Sequence, residues 1–397
     1  MKRIQKIGVL IFSLVIGVYP LCAIDGGASI AAGVDIQTPI KLPNNPIGVK
    51  NFERVNGYLQ QNMDKDGNYN FYLDTSYLFL FSGNFYKNKN NTNIKNIVDV
   101  DQLNFSFLFP LNGGNAVSFI FGRFPQADYT NTIFKQKLDG ATVALDFQNV
   151  QAEFTFGYTG LLNTYTNPLY VMPRTYTNTV YSLAPAFIAA NAKTNFFVGK
   201  YGHRIGLEFM SFVQPKKKPG YQIYGTVSAD GQIIPRLIFD LSTTIALRKY
   251  PTDKKLQLGG LVIGDLAYYF KPLDAAFGFR ALYASGANSK TGEGAFTGFS
   301  RLALSKISGQ LPSDVVSLGL FGSLKPLDGL LVKLTADTYL KGSKPQNGEK
   351  KFSGFQWGGA LDYVLLQSLC INCELGHFVG EKGRGAFLGS LKCMLTF

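Results

Sequence analysis

His203 and His377 are the only histidines among 397 residues, and they limit what catalysis this chain could perform. A hydrolytic nucleophile needs a base beside it, itself oriented by a carboxylate or amide. His203 stands in Tyr201-Gly202-His203-Arg204, a turn-like stretch, and His377 alternates with Ile371, Leu375 and Val379 on an apolar face. Neither has a partner in the sequence, so the reading is that the chain is not an enzyme and needs no cofactor. Of the four cysteines, Cys22 follows Leu21, where a small residue would be needed to accept a lipid. Cys370, Cys373 and Cys393 lie close together, and an exported chain permits a Cys370–Cys373 or Cys370–Cys393 bridge as readily as three free thiols. A zinc site is not expected, because only His377 is nearby and at least three ligands are required.

The chemistry that remains is the electrostatics of charged side chains. Arg204, Glu208, Arg236, Asp240, Arg248, Arg280, Lys333, Asp337, Asp362 and Glu374 recur on faces that alternate with apolar residues. Ile205, Leu207 and Phe209 oppose Arg204 and Glu208, and Val332, Leu334 and Ala336 oppose Lys333, Thr335 and Asp337. These charges are mixed in sign. The net charge of +13 lies mainly elsewhere, in polar connections such as Lys216-Lys217-Lys218. A basic cluster raises the local concentration of anions. It is not a nucleic-acid signal here, because no recognition fold accompanies it.

Alternation at every second residue demands strands. Leu103, Phe105, Phe107 and Phe109 form one such face, and Leu237, Phe239, Leu241, Thr243, Ile245 and Leu247 another. Lys2, Arg3 and Lys6 precede the apolar run from Ile7 to Val18, with small Ala23 after it, so residues 1–23 read as a signal peptide. Removing those three cations leaves +10. No later apolar run approaches the ~20 residues of a membrane helix, yet aromatic residues reach 14% and charged ones only 16%. The remaining way to cross a bilayer is a closed sheet with no unpaired backbone. The expectation is an all-β transmembrane antiparallel barrel spanning residues 68–397.

Counting strands from Tyr69 predicts about 16, within roughly 14–18 for a chain of this size. Residues 24–67 are expected either to add strands or to sit inside as a partial plug. Lys271-Pro272-Leu273-Asp274, Lys325-Pro326-Leu327-Asp328 and Pro110-Leu111-Asn112-Gly113 mark short turns on one side. Long connections at 83–101, 124–139, 159–193 and 286–313 then fall on the other. Phe299, Leu302, Ala303, Lys306 and Ile307 have helical spacing, so a short helix folded into the mouth is expected within 286–313. Thr179–Lys193 is read as loop.

The last strand, with Phe387, Gly389, Leu391, Cys393, Leu395 and Phe397 on one face, resembles the closing strand of Gram-negative outer-membrane barrels. In that group the assembly machinery reads the final aromatic, so the resemblance implies that machinery and outer-membrane lipid as partners. Phe121-Gly122-Arg123-Phe124-Pro125, continuing to Lys135-Gln136-Lys137-Leu138-Asp139-Gly140-Ala141, is similar to porins of the alginate-export and related substrate-selective types, as is Gly358-Gly359-Ala360-Leu361-Asp362. The resemblance covers about a third of the chain and implies a constriction loop holding Arg123, Asp128 and Lys135. Asn44-Asn45-Pro46 is faintly similar to the hatch of fatty-acid transporters.

Together these features predict a diffusion channel in the outer membrane for small polar, anionic solutes, with Lys216, Lys217 and Lys218 at its entrance. A loop-plugged barrel serving as an adhesin or structural protein, and a hatch-gated transporter of hydrophobic ligands, are the alternatives.

Overall fold

The computed structural model describes residues 24–40, 47–86, 89–159, 187–199, 202–215, 219–250, 255–286, 294–300, 302–343, 351–381 and 385–397. Eighteen strands follow one another as neighbours around a single sheet. The first hairpins are β1 (Ile24–Ile40) with β2 (Ile47–Asn62), and β3 (Tyr69–Tyr86) with β4 (Lys89–Pro110). Next come β5 (Ala116–Ala127), β6 (Lys135–Phe147), β7 (Val150–Tyr158), β8 (Ile188–Val198), β9 (His203–Val213) and β10 (Tyr221–Ile234). The wall continues through β11 (Leu237–Lys249), β12 (Gln257–Phe270), β13 (Ala275–Ala284) and β14 (Val315–Leu327). It ends with β15 (Leu330–Lys341), β16 (Phe352–Leu366), β17 (Leu369–Gly380) and β18 (Gly385–Thr396).

Every pairing is antiparallel, and β1 closes the ring on β18 from Ser29 opposite Thr396 to Ile40 opposite Gly385. Closure leaves no edge strand, which is what lets a sheet stand in hydrocarbon. From Tyr69 onward there are sixteen strands, as counted, and residues 24–62 supply the other two. Residues 24–40 and 47–62 therefore lie in the wall and do not form a plug. Among the described residues there is no α-helix.

The apolar faces of the strands point outward. Phe154, Phe156, Phe209, Ile245, Leu334 and Leu391 are all exposed there, as lipid-facing side chains must be in the absence of lipid. Toward the short-turn end, Tyr69 and Phe107 lie 5.7 Å apart, Phe71 and Phe105 5.0 Å, and Phe109 and Phe119 5.7 Å. This cross-strand aromatic band is where the interfacial girdle of a membrane barrel belongs. Its short turns are tight: Lys271–Leu273 forms a 3-10 turn closed by Asp274 in the left-handed region, and Gly329 sits at φ 79°.

The disulfide expectation fails on register. Cys370 is opposite Met394 and Ile371 is opposite Cys393, so Cys370 and Cys393 point to opposite faces of the sheet. Cys370 and Cys373, an odd number apart on one strand, also point apart, and all three thiols are free. The expected long loop at 83–101 is corrected too: β3 and β4 pair from Tyr86 opposite Lys89 down to Tyr69 opposite Phe107. Thr179–Lys193 is only partly a connection, because β8 begins at Ile188, and residues 179–186 lie outside the described residues. The same is true of 1–23, of Asn44-Asn45-Pro46 and of Lys216, Lys217 and Lys218.

Candidate functional site

The tightly packed apolar core is inside the bore. Phe134, Phe187, Met210, Phe212, Tyr224, Phe296 and Phe299 are all buried there. Two segments between strands build it. The first is the upper part of the β5–β6 hairpin. β4 pairs with β5 only as far as Leu103 opposite Arg123, and β6 joins β7 only from Asp139 opposite Tyr158. Above those points residues 124–138 leave the wall and cross inward. Gly122 and Gly140 stand at the two departure points. A Cβ on either would lie 2.1 Å from a backbone oxygen, of Leu103 and Phe156 respectively, and Gly122 has φ 118°. Only glycine permits so close an approach.

Bending inward turns Arg123, which shares parity with lipid-facing Phe121, against the inner surface of β4. It is 2% exposed, with its Nη1 3.1 Å from Asp139 and its Nη2 3.9 Å from Asp99. Lys137 bridges Asp99 at 3.1 Å and also Asp101, and Arg54 reaches Asp101 at 2.8 Å. Arg54, Arg123 and Lys137 are thus met by Asp99, Asp101 and Asp139 where the hairpin enters the bore, with Asp74 alongside. Pairing of this kind is what makes buried charge tolerable.

At the tip, Asp128 accepts hydrogen bonds from the amides of Thr130, Ile133 and Phe134 at 2.8–3.0 Å and from the Thr130 hydroxyl. Burial pushes its carboxyl up from the usual range, against these donors, which pull it down. Glu208 on β9 accepts from the Tyr129 amide at 2.9 Å and from Asn191 Nδ2 at 3.0 Å. Burial, then the charge of Glu208, pushes the Tyr129 hydroxyl up to about 12. Lys193 donates to the Ala127 carbonyl at 2.5 Å. Lys135 keeps its side chain exposed while its amide donates to Ser300 Oγ at 3.1 Å.

Ser300 belongs to the second segment, residues 294–300 and 302–314 between β13 and β14. It enters over β12, where Gly259 makes room for Phe296: an added Cβ would lie 2.7 Å from Phe296 Cα. Thr297 receives Tyr224 Oη on its carbonyl at 2.8 Å and Arg248 Nη1 on its hydroxyl at 2.9 Å. Phe299 stacks on Phe212 at 3.8 Å and meets Phe187 edge-on at 5.0 Å. The chain then crosses to the opposite wall, where Lys306 Nζ lies 2.9 Å from Glu374 and Gln37 Nε2 reaches the Ile307 carbonyl at 3.4 Å. The expected helix through Phe299 and Ile307 is absent. These side chains dock on different walls, and Ser305 and Ser308 hydroxyls instead accept the amides of Ile307 and Gln310.

The two segments leave open space beside them. One cavity of about 470 Å³ lies toward the long-loop side, against Asp35, Gln37, Lys50, Ser82 and Asn84. Another, about 440 Å³, lies deeper, against Arg280, Lys333, Asp337 and Gln356. Lys306 and Glu374 border both.

The residues expected along the pore separate accordingly. Arg280 pairs with Asp265 at 2.7 and 2.8 Å, Lys333 with Asp362 at 2.9 Å, and Asp337 accepts from Gln356 at 3.1 Å. Arg204 pairs across the sheet with Asp230 at 2.6 Å and not with Glu208. Asp230, Asp240, Asp265 and Arg280 follow one another in register, a belt on the inner wall. Three expectations are corrected. Arg236 is not in the wall: it occupies the β10–β11 turn at φ 73°. The buried Glu208 side chain holds a loop amide, and Arg248 holds Thr297. The inward apolar residues Met210, Phe212, Tyr224 and Leu261 were missed, although parity carries their signal: in β9 the inward series Arg204, Gly206, Glu208 becomes apolar at Met210 and Phe212.

A closed eighteen-stranded antiparallel barrel whose connections fold into its own bore has the fold of the outer-membrane porins. No protein-family profile and no curated protein matches this chain. Among solved structures it is similar to OccK5 (OpdH) of Pseudomonas aeruginosa, at 14% sequence identity and TM-score 0.59, over 94% of this chain and 98% of that one. It is similar over the same shares to OpdK of that organism, solved with vanillate, at 10% identity and TM-score 0.59, and to OpdL at 13% and 0.57.

Proposed function

We propose that this protein is an outer-membrane channel for the diffusion of small polar solutes, with a preference for anions. The observation that carries the reading is the pair of cavities of about 470 and 440 Å³ that adjoin at Lys306 and Glu374, each with charged side chains in its lining, beside loops that fill much of the bore. A bore filled on one side and polar on the other suits passage of small hydrated molecules. The anion preference rests on the surplus that remains when Lys2, Arg3 and Lys6 are set aside from the +13, and which the inner wall does not share: Arg204 and Arg280 are matched there by Asp230 and Asp265, and Asp240 and Asp337 add negative charge. The field at the mouth would then decide.

The purified full-length protein in planar bilayers, under a KCl gradient, provides the test. Discrete conductance steps with an anion-preferring reversal potential in dilute salt are expected. Absence of conductance from folded protein would favour the plugged, structural barrel, which the apolar core inside the bore supports. Cation preference would assign control to Asp240 and Asp337.

A further inference from the structure

The segment 302–310 is seated on the wall at Ile307. Ile307 is 7% exposed and occupies the space above two glycines: a Cβ on Gly376 of β17 would lie 2.1 Å from Ile307 Cδ1, and one on Gly358 of β16 3.5 Å away. The Gln37 amide of β1 holds the Ile307 carbonyl from the other side. The neighbouring Lys306 is thereby placed without being buried. Its side chain is 66% exposed and that of Glu374 24%, yet they meet at 2.9 Å. Glu374 sits opposite Ser390 of β18, and Ser390 Oγ donates to Asp35 at 2.6 Å, so the carboxylates of Glu374 and Asp35 face the same ammonium. Burial works against the charge of Lys306, but the Glu374 hydrogen bond and the two carboxylates raise its pKa above the ordinary lysine value.

This pair borders both the outer and the deeper cavity. We infer that Lys306 and Glu374 form a displaceable crossbar between the two halves of the conduit and modulate, from within, the charge preference that the field at the mouth favours. The inference rests on the channel reading above and goes beyond it by naming the controlling groups. An exposed ion pair in contact with water contributes little net energy, because its members are nearly as well solvated apart. A small anion passing from one cavity to the other can therefore take the place of Glu374 beside Lys306, and a small cation the place of Lys306 beside Glu374. The carboxylate of Asp35 remains in either case, and the charge left uncompensated by a substitution determines which ion crosses more readily.

Reversal potentials of the full-length protein in planar bilayers, at dilute and molar KCl, test this. Glu374→Gln frees the ammonium and should move the potential toward anion preference; Lys306→Gln frees the carboxylates and should move it toward cations. Both shifts should shrink in molar salt. Should Glu374→Gln fail to reach the folded, heat-modifiable form, Lys306→Glu beside the intact Glu374 should shift the potential toward cations further than Lys306→Gln. Conducting variants with native reversal potentials, or shifts of the same sign in both, would overturn the inference while leaving the channel standing. A native protein that folds and does not conduct would overturn the channel itself.

Discussion

Replacing Phe299 by alanine should release the 294–314 segment from the bore without unfolding the barrel. Phe299 is 1% exposed and its ring is enclosed by three others, Phe212 at 3.8 Å, Phe187 at 5.0 Å and Phe134 at 5.7 Å. Truncating a buried phenylalanine costs about 3–5 kcal/mol, transfer and cavity terms together. The wall is held by a closed ladder of backbone hydrogen bonds to which this side chain contributes nothing, so the loss falls on docking of the segment. At roughly 1.4 kcal/mol per factor of ten, the docked population falls by about two to three and a half powers of ten. A docking equilibrium of only a few kcal/mol would then be reversed. The assay is single-channel recording of folded protein, with limited proteolysis of 294–314 alongside. Larger or fluctuating conductance and faster cleavage are expected. Native conductance and native protease resistance in a folded Phe299→Ala barrel would refute the claim that this aromatic cluster holds the segment in the bore.

Arg123→Met should destabilise more than its surface-like parity suggests. It leaves Asp99 and Asp139 buried without their guanidinium, a loss on the order of 3–5 kcal/mol, read as a lower urea midpoint for the folded form and faster cleavage after Lys135. Gly376→Ala should push Ile307 out of its seat and raise conductance, because the new methyl takes the place of Cδ1; no change would show that Ile307 does not key the segment. The three thiols of Cys370, Cys373 and Cys393 should all titrate with a thiol reagent after unfolding without reductant, and a count of one would restore the bridge. Changing Lys216, Lys217 and Lys218 together to glutamate should reduce anion preference in dilute salt and have little effect in molar salt, where charges are screened within about 3 Å. An equal effect at both salts would place these lysines in the conduit itself.

The wall of the barrel is written in the sequence because alternation is a local signal: each run such as Leu237 to Leu247 states its own two faces. What alternation cannot state is pairing by backbone alone. Residues 89–97 are rich in asparagine and read as loop, yet β4 forms there because β3 offers it an unpaired ladder. Residues 24–62 lack a clean period, with Gly27 and Gly33 making way for the Tyr58 and Phe52 rings, and their place in the wall follows from the need to close it. The inward hairpin was legible only through the Phe121-Gly122-Arg123 and Asp139-Gly140 resemblance. Arg123 by parity alone belongs with lipid. The crossing of 294–310 was legible as a loop near the mouth, but its partners were not, since Phe299 and Ile307 meet residues from strands far apart in the chain.

The filled part of the bore is built from β5–β15 and the inward hairpin, whereas the outer cavity lies against Asp35 and Gln37 of β1, Lys50 of β2, Glu374 of β17 and Leu388 of β18. The outer half of the free space therefore runs along the seam where the first and last strands meet, and the deeper half along β13–β17. During biogenesis the aromatic interior can gather before the ends of the chain have found each other, but the outer cavity has no second bank until they do. On the channel reading, sealing the sheet also completes the outer half of the conduit, so a half-assembled molecule held in the membrane with its seam unzipped would leak through an irregular gap.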